Sequence, residues 1–231
     1  MTRSGGAADV HIGRRVRVSF QRYPVSAAGV SAGVPSSWGL LPAAPDGGVV
    51  LVPLADGEGC WIGLTAIGSA RTALVCAAVE CADGTWTDAV SGSDAGRDFP
   101  LDAEGIVVSP FAVLAGIAAA KGEWWALSRA PDGPTPIARA VRLVSFLPRR
   151  APRPPASAGS RPPLAHDNGG NAPSQNLWAT RAHVAAGAWR VDRPQELRVE
   201  LIDPKTFLAR TGHKASAALD PSAPYQGWRL P

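Results

Sequence analysis

The chain has 231 residues, a formal net charge of +4, 25 glycines and 22 prolines, enough for one good core with many turns and poorly suited to a helical bundle. Its basic residues are scattered, and no Lys/Arg stripe interleaved with aromatics marks a nucleic-acid surface. No apolar run reaches the roughly 18 residues a membrane span needs.

The N-terminus, MTRSGGAADVHIGRR, lacks the apolar stretch of a secretory signal, so the expectation is a cytoplasmic protein. Residues 1–14 read as a flexible arm, and 15–147 as a β-rich main domain. Arg15 to Arg22 alternates strictly, with Val16, Val18 and Phe20 facing the core, and is expected as the first strand, at an edge. A long connection follows over 24–46.

The most strongly patterned stretch runs from Gly47 to Val90, where short apolar segments alternate with Asp/Gly punctuation. Val49 to Leu54 reads as a strand covered on both faces. Residues 55–59, Ala-Asp-Gly-Glu-Gly, are expected to turn it into a hairpin with the next strand. That strand places Cys60, Ile62 and Leu64 on one face and Trp61 and Thr65 on the other. Thr72 to Cys81 is apolar on both faces and is expected to be central, although Ala and Leu leave a helix as the competing reading. Asp83-Gly84 then turns the chain into a strand beginning Thr85-Trp86-Thr87.

Ser91 to Glu104 reads as a polar loop, in which Asp94, Asp98 and Asp102 are too sparse for a calcium loop. Residues 105–109 form a short strand, and Ser109-Pro110 carries the signal of a helix start. The predicted helix presents Phe111, Leu114, Ile117 and Ala118 on one face and stops at Gly122. Strands are expected again around Trp124-Trp125 and from Ile137 to Leu147.

Pro148 to Ser174 has almost nothing to bury and is predicted to be a Pro-rich disordered linker. Residues 175–231 read as a small strand-helix tail docked on the main domain. Within it Glu196 to Ile202 alternates as a strand. Asp203-Pro204 starts a helix that Gly212 closes, with Phe207 and Leu208 as its apolar face, and Tyr225, Trp228 and Leu230 are expected to pin the terminus. The fold class is mostly β, a β-sandwich or jelly-roll-like domain with one or two short helices, with α+β as the alternative.

The order of segments VRVSFQR, WGLLP, GCWIGLTA, DGTWTDAVSG, IVVSPFAVLAGIAA, LARTG and PYQGWRLP resembles an uncharacterised family of bacterial and fungal proteins. Where that family carries a Pro-Trp-Leu-Asp-Gly type sequence, this chain has SPFAVLAGI, with Ala and Val in place of the Trp and Asp. The resemblance implies a fold and carries no activity.

Cys60, Cys76 and Cys81 sit in apolar strand contexts with poor zinc spacing, and are expected to be buried free thiols in a reducing compartment. No nucleophile elbow, phosphate loop, dinucleotide fingerprint or HExxH motif occurs. No catalytic set, metal or cofactor is assigned. The binding candidates are Trp86, Trp124 and Trp125, as aromatics on a sandwich surface, and His183, the histidine best placed for a relay from the tail. Two functions remain open. One is a non-enzymatic structural or interaction module whose partner is protein, self or other. The other is a hydrolase-like or small-molecule enzyme with its site between main domain and tail.

Overall fold

The computed structural model describes residues 10–26, 28–68, 72–96, 98–119, 122–129, 135–149, 181–184 and 187–220. The chain is mostly β. It begins with β1 (Val10–Ile12), β2 (Val16–Pro24), β3 (Val30–Ser31), β4 (Ala44–Asp46), β5 (Val49–Pro53) and β6 (Glu58–Ala66). It continues with β7 (Ala73–Cys81), β8 (Trp86–Asp88), β9 (Glu104–Val108), β10 (Phe111–Leu114), β11 (Ile117–Ala118) and β12 (Trp124–Trp125). The last elements are β13 (Ala138–Phe146), β14 (Arg181–His183), β15 (Gln195–Ile202) and the helix α1 (Pro204–Thr211).

Among the described residues, a four-stranded sheet has the order β1-β2-β6-β10, and a larger sheet the order β14-β9-β7-β13-β15-β5-β4, with β8 also paired to β7. A small sheet, β11-β12-β3, completes the set. The two main sheets share one core. Val16, Val18, Phe20, Ile62 and Leu64 of the smaller sheet meet Val75, Val79, Val141, Leu143 and Val199 of the larger. Period-2 alternation is what lets each strand contribute one apolar face to that core.

Several expectations hold. Val16, Val18 and Phe20 are buried, and so are Cys60, Ile62 and Leu64. Strand β7 lies inside the large sheet, antiparallel to β13 on one side and to β8 and β9 on the other. The turn at Asp83-Gly84 forms, with the Thr85 amide donating to Asp83 Oδ1 at 3.0 Å. Helix α1 is capped as the sequence predicts. Asp203 Oδ1 accepts from the amides of Lys205 and Thr206, Pro204 opens the first turn, and Gly212, at φ 72°, donates to the Leu208 carbonyl.

Others are corrected. The first strand is not an edge, because residues 10–12, expected in the frayed arm, form β1 and pair along it from Val10↔Val18 to Ile12↔Val16. The hairpin expected at 55–59 does not form, because β5 pairs parallel with β15 while β6 pairs with β2. The turn there instead carries the chain from one sheet to the other. The helix expected after Ser109-Pro110 is two strands. Its i, i+3 pattern competes with an unpaired edge of β6, which needs backbone partners, and β10 supplies them from Phe111↔Thr65 to Leu114↔Ile62. Ala112 and Leu114 then point inward, and Phe111 is exposed. Gly116 follows because a Cβ there would collide with the Trp125 carbonyl.

The strand expected in a docked tail is β15, which lies between β13 and β5 within the large sheet. Helix α1 buries Phe207 against Leu51 and Ala44, while Leu208, next to it on the helix, stays exposed. Beyond the helix, residues 213–220 cross to the smaller sheet. There Arg22 Nη1 donates to the Ala217 carbonyl at 2.5 Å and the Leu219 amide donates to Glu58 Oε1 at 2.7 Å. Glu58 is buried. Residues 150–174 of the expected linker, and Tyr225, Trp228 and Leu230, lie outside the described residues.

Candidate functional site: a groove on the outer face of the large sheet

The alternation that sends Val79, Val141, Leu143 and Val199 into the core turns Ala78, Glu80, Ala140, Arg142, Glu196 and Arg198 outward. Arg142 stands directly opposite Ala78 on one side and Arg198 on the other. Two glutamates offset these guanidinium charges. Arg142 makes a bidentate pair with Glu196, with Nε–Oε1 at 2.9 Å and Nη2–Oε2 at 3.0 Å. Arg198 reaches across β13 to Glu80 on β7, with Nη2–Oε2 at 2.9 Å. The intervening residue is Ala140, opposite both Glu80 and Glu200, and its small side chain leaves the crossing open.

The walls come from β8 and the loop after it. Trp86 lies opposite Glu80, and the Arg198 guanidinium sits 5.6 Å from its ring centroid. Phe99 flanks the other arginine, with the Arg142 guanidinium at 5.5 Å. Both distances are in the cation–π range. The loop is fixed at its root by Asp88, buried in the turn, whose Oδ1 accepts the Val90 amide at 2.7 Å and the Ser91 amide at 3.1 Å. Desolvation raises the Asp88 carboxyl above its usual range, with a smaller push from Glu104, against the lowering effect of those hydrogen bonds. The Ala95 amide donates to the Trp86 carbonyl at 2.8 Å, which brings Asp94, Ala95 and Gly96 to the rim.

The groove is open to solvent along its top and has a volume of 510 Å³, with a floor of Ala78, Arg142, Glu196 and Arg198. A second cavity of 340 Å³ shares Phe99, Arg142 and Glu196 with it and runs on over Pro100, Leu101, Val191 and Pro194. A third hollow of 320 Å³ lies on the smaller sheet, lined by Leu40, Phe111, Arg17 and Thr65 among others.

Of the four residues singled out from the sequence, only Trp86 lines the groove. Trp124 is buried in the small sheet, under the guanidinium of Arg181 at 5.7 Å. Trp125, its neighbour, packs against the inter-sheet core, so neither tryptophan is an exposed platform. His183 is exposed on β14, opposite Glu104. Phe99, Arg142, Glu196 and Arg198 were missed. The one signal for them was a charge at Arg142, in the middle of the mostly apolar run from Ala140 to Val144, and such a charge needs partners on neighbouring strands.

The three cysteines are buried free thiols. Burial pushes the Cys60 thiol up to about 12 and the Cys76 thiol higher still. Among the described residues no group of three or more His, Cys, Asp or Glu is arranged to hold a metal, and no helix is long and apolar enough to cross a membrane. No model of a known protein family matches the chain, and no curated protein or solved structure matches it either. The functional reading therefore rests on the geometry of the groove.

Proposed function

We propose that this protein is a non-enzymatic interaction module that holds an extended segment of a partner protein in the groove over β7, β13 and β15. The observation that carries the reading is the pairing of two apolar walls, Trp86 and Phe99, with an ordered floor of charged side chains. A polypeptide presents the same mixture, with apolar side chains for the walls and polar groups for the floor. The adjoining cavity past Phe99 lengthens the groove, as an extended segment requires. Among the described residues, the groove lining contains no histidine, cysteine, serine or threonine to act as a relay or nucleophile. The buried free thiols support a reducing, cytoplasmic setting.

The test is a random peptide display on the full-length chain, followed by NMR of the selected peptides bound to it. Selected peptides are expected to shift the Trp86 indole and the amides around Ala95 and Phe99. Trp86→Ala or Phe99→Ala is expected to weaken them by roughly 2 kcal/mol, the loss typical of an anchor residue. Peptides that shift only the hollow around Leu40 and Phe111 would move the interaction surface to the smaller sheet.

One observation favours a second reading. The groove is lined from both sides of the linker, and two carboxylates, Asp94 and Glu196, reach it. Turnover of a substrate from a hydrolase panel, abolished by Asp94→Asn or Glu196→Gln in a folded protein, would establish an enzyme instead.

A further inference from the structure

The groove runs to the place where the chain leaves the large sheet. Its second cavity follows the outer face of β13 over Arg142, Val144 and Phe146. Just past β13, Pro148 bridges to Trp189, and Arg149 Nε donates to the Trp189 carbonyl at 3.0 Å. Arg149 ends this described stretch, and the next described residue is Arg181. The sequence that follows Arg149 is RAPRPPASAGSRPP, residues 150–163. It carries Arg150, Arg153 and Arg161, no acidic residue, and prolines at 152, 154, 155, 162 and 163.

The charge of the groove is what its ion pairs leave over. Glu196 neutralises Arg142, and Glu80 neutralises Arg198. Asp94 on the rim and Asp98 at the second cavity then remain, with no basic partner among the described residues, so the lining is negative. An arginine-bearing, acid-free segment complements it. The walls select in the same direction. Leu101 and Val191 stand 52% and 37% exposed beside Phe99, next to the point where the chain leaves. Beneath the groove β7, β13 and β15 are each paired on both sides, so an occupant finds no free sheet edge. Proline suits such a place. It has no amide to satisfy, and its extended helix is already ordered before it meets an aromatic wall.

The reach is sufficient. From Arg149 back to Arg142 is about 23 Å of strand, at about 3.3 Å per residue. Residues 150–163 span about 43 Å when extended, at about 3.1 Å per residue.

From this we infer that residues 150–163 of this chain occupy the groove in cis, with prolines against Phe99, Leu101 and Trp86 and arginines at Asp94 and Asp98. The inference rests on the groove being a peptide site. The tether gives this segment an effective concentration on the order of millimolar, so a partner segment has to displace it.

The test uses the full-length chain carrying a nitroxide at Ser157→Cys, since the three native thiols are buried and resist labelling. Broadening is expected at the Trp86 indole and at the amides of Ala95 and Leu101, unchanged on dilution. Replacing Arg150, Arg153 and Arg161 together by Gln should reduce it. In the chain without the label, the same replacement should tighten the binding of displayed peptides about tenfold, by weakening their competitor. Broadening centred on the hollow around Leu40 and Phe111, or seen only between mixed copies, would overturn the cis occupant. So would broadening that the three Gln replacements leave intact. Displayed peptides that shift the groove while the label does not reach it would overturn this inference and leave the peptide reading standing. If neither peptides nor label reach the groove, the peptide reading fails, and this inference with it.

Discussion

The inner and outer faces of β7, β13 and β15 are made from alternating residues of the same three strands, and they have little else in common. Inward, Val75, Val79, Val141, Leu143 and Val199 join one apolar core with the smaller sheet. Outward, the surface is divided. At one end Leu74, Cys76, Val144 and Phe146 are covered by Phe99 and Trp189, and beside β15 Leu51 is covered by Phe207 of α1. Between them Arg142, Glu196, Arg198 and Glu80 stay half-exposed in ion pairs. A face that meets another sheet must be almost wholly apolar, and on β13 the buried exception is Ser145, opposite Val75. A face covered piecemeal by a loop and a helix leaves gaps, and here the gap carries the charges and the groove.

The sharpest way to break this contrast is to truncate neighbours on β13 that point in opposite directions. Leu143→Ala should cost about 2–5 kcal/mol by chemical denaturation, because Leu143 is fully buried in the shared core. Arg142→Ala should cost less than about 1 kcal/mol, because its ion pair is part-exposed. Equal losses would mean that the outer charges are structural.

Cys60 adds a pH signature to the inner face. Its thiol is raised by burial from 9.0 to about 12, so the folded state holds a proton that the unfolded state has given up. The resulting stability is complete below about pH 9 and is lost as pH rises towards 12, with a slope approaching about 1.4 kcal/mol per pH unit. Cys60→Ala should have a shallower loss than wild type between pH 9 and 11. Parallel profiles would show that this thiol does not contribute.

Next in size is the crossing segment that joins the two sheets at the edge. Leu219→Pro removes the amide that donates to buried Glu58 Oε1, leaving that oxygen with Arg22 Nη1 at 3.5 Å. A loss of about 1–3 kcal/mol is expected from a poorly satisfied buried carboxylate. Hydrogen exchange should show faster exchange around Glu58. An unchanged denaturation midpoint would mean that residues 213–220 do not hold the edge.

The smallest effect belongs to the groove. A double-mutant cycle on Arg142 and Glu196 should give a coupling of about 0.2–1 kcal/mol that shrinks with salt, as for exposed pairs. A larger, salt-insensitive coupling would show that the pair is shielded from solvent.

What the sequence determined by itself was local. Alternation fixed which large side chains of β2 and β6 face the core, a run apolar on both faces placed β7 inside a sheet, Asp-Gly fixed the turn before β8, and Asp203-Pro204 with Gly212 fixed both ends of α1. Each follows from residues a few positions apart. Partner choice does not. Nothing within Val49–Pro53 says that it pairs with β15, some 150 residues later, rather than with β6 across the next turn. The helix signal at Ser109-Pro110 was overridden for the same reason, because the backbone of β6 offered Phe111–Leu114 a ladder that a local pattern cannot see. The groove is the furthest from local pattern. Arg142, Arg198, Glu80, Trp86 and Phe99 come from four separate stretches of chain, and only the register of the large sheet and the return of the loop after Asp88 make them neighbours.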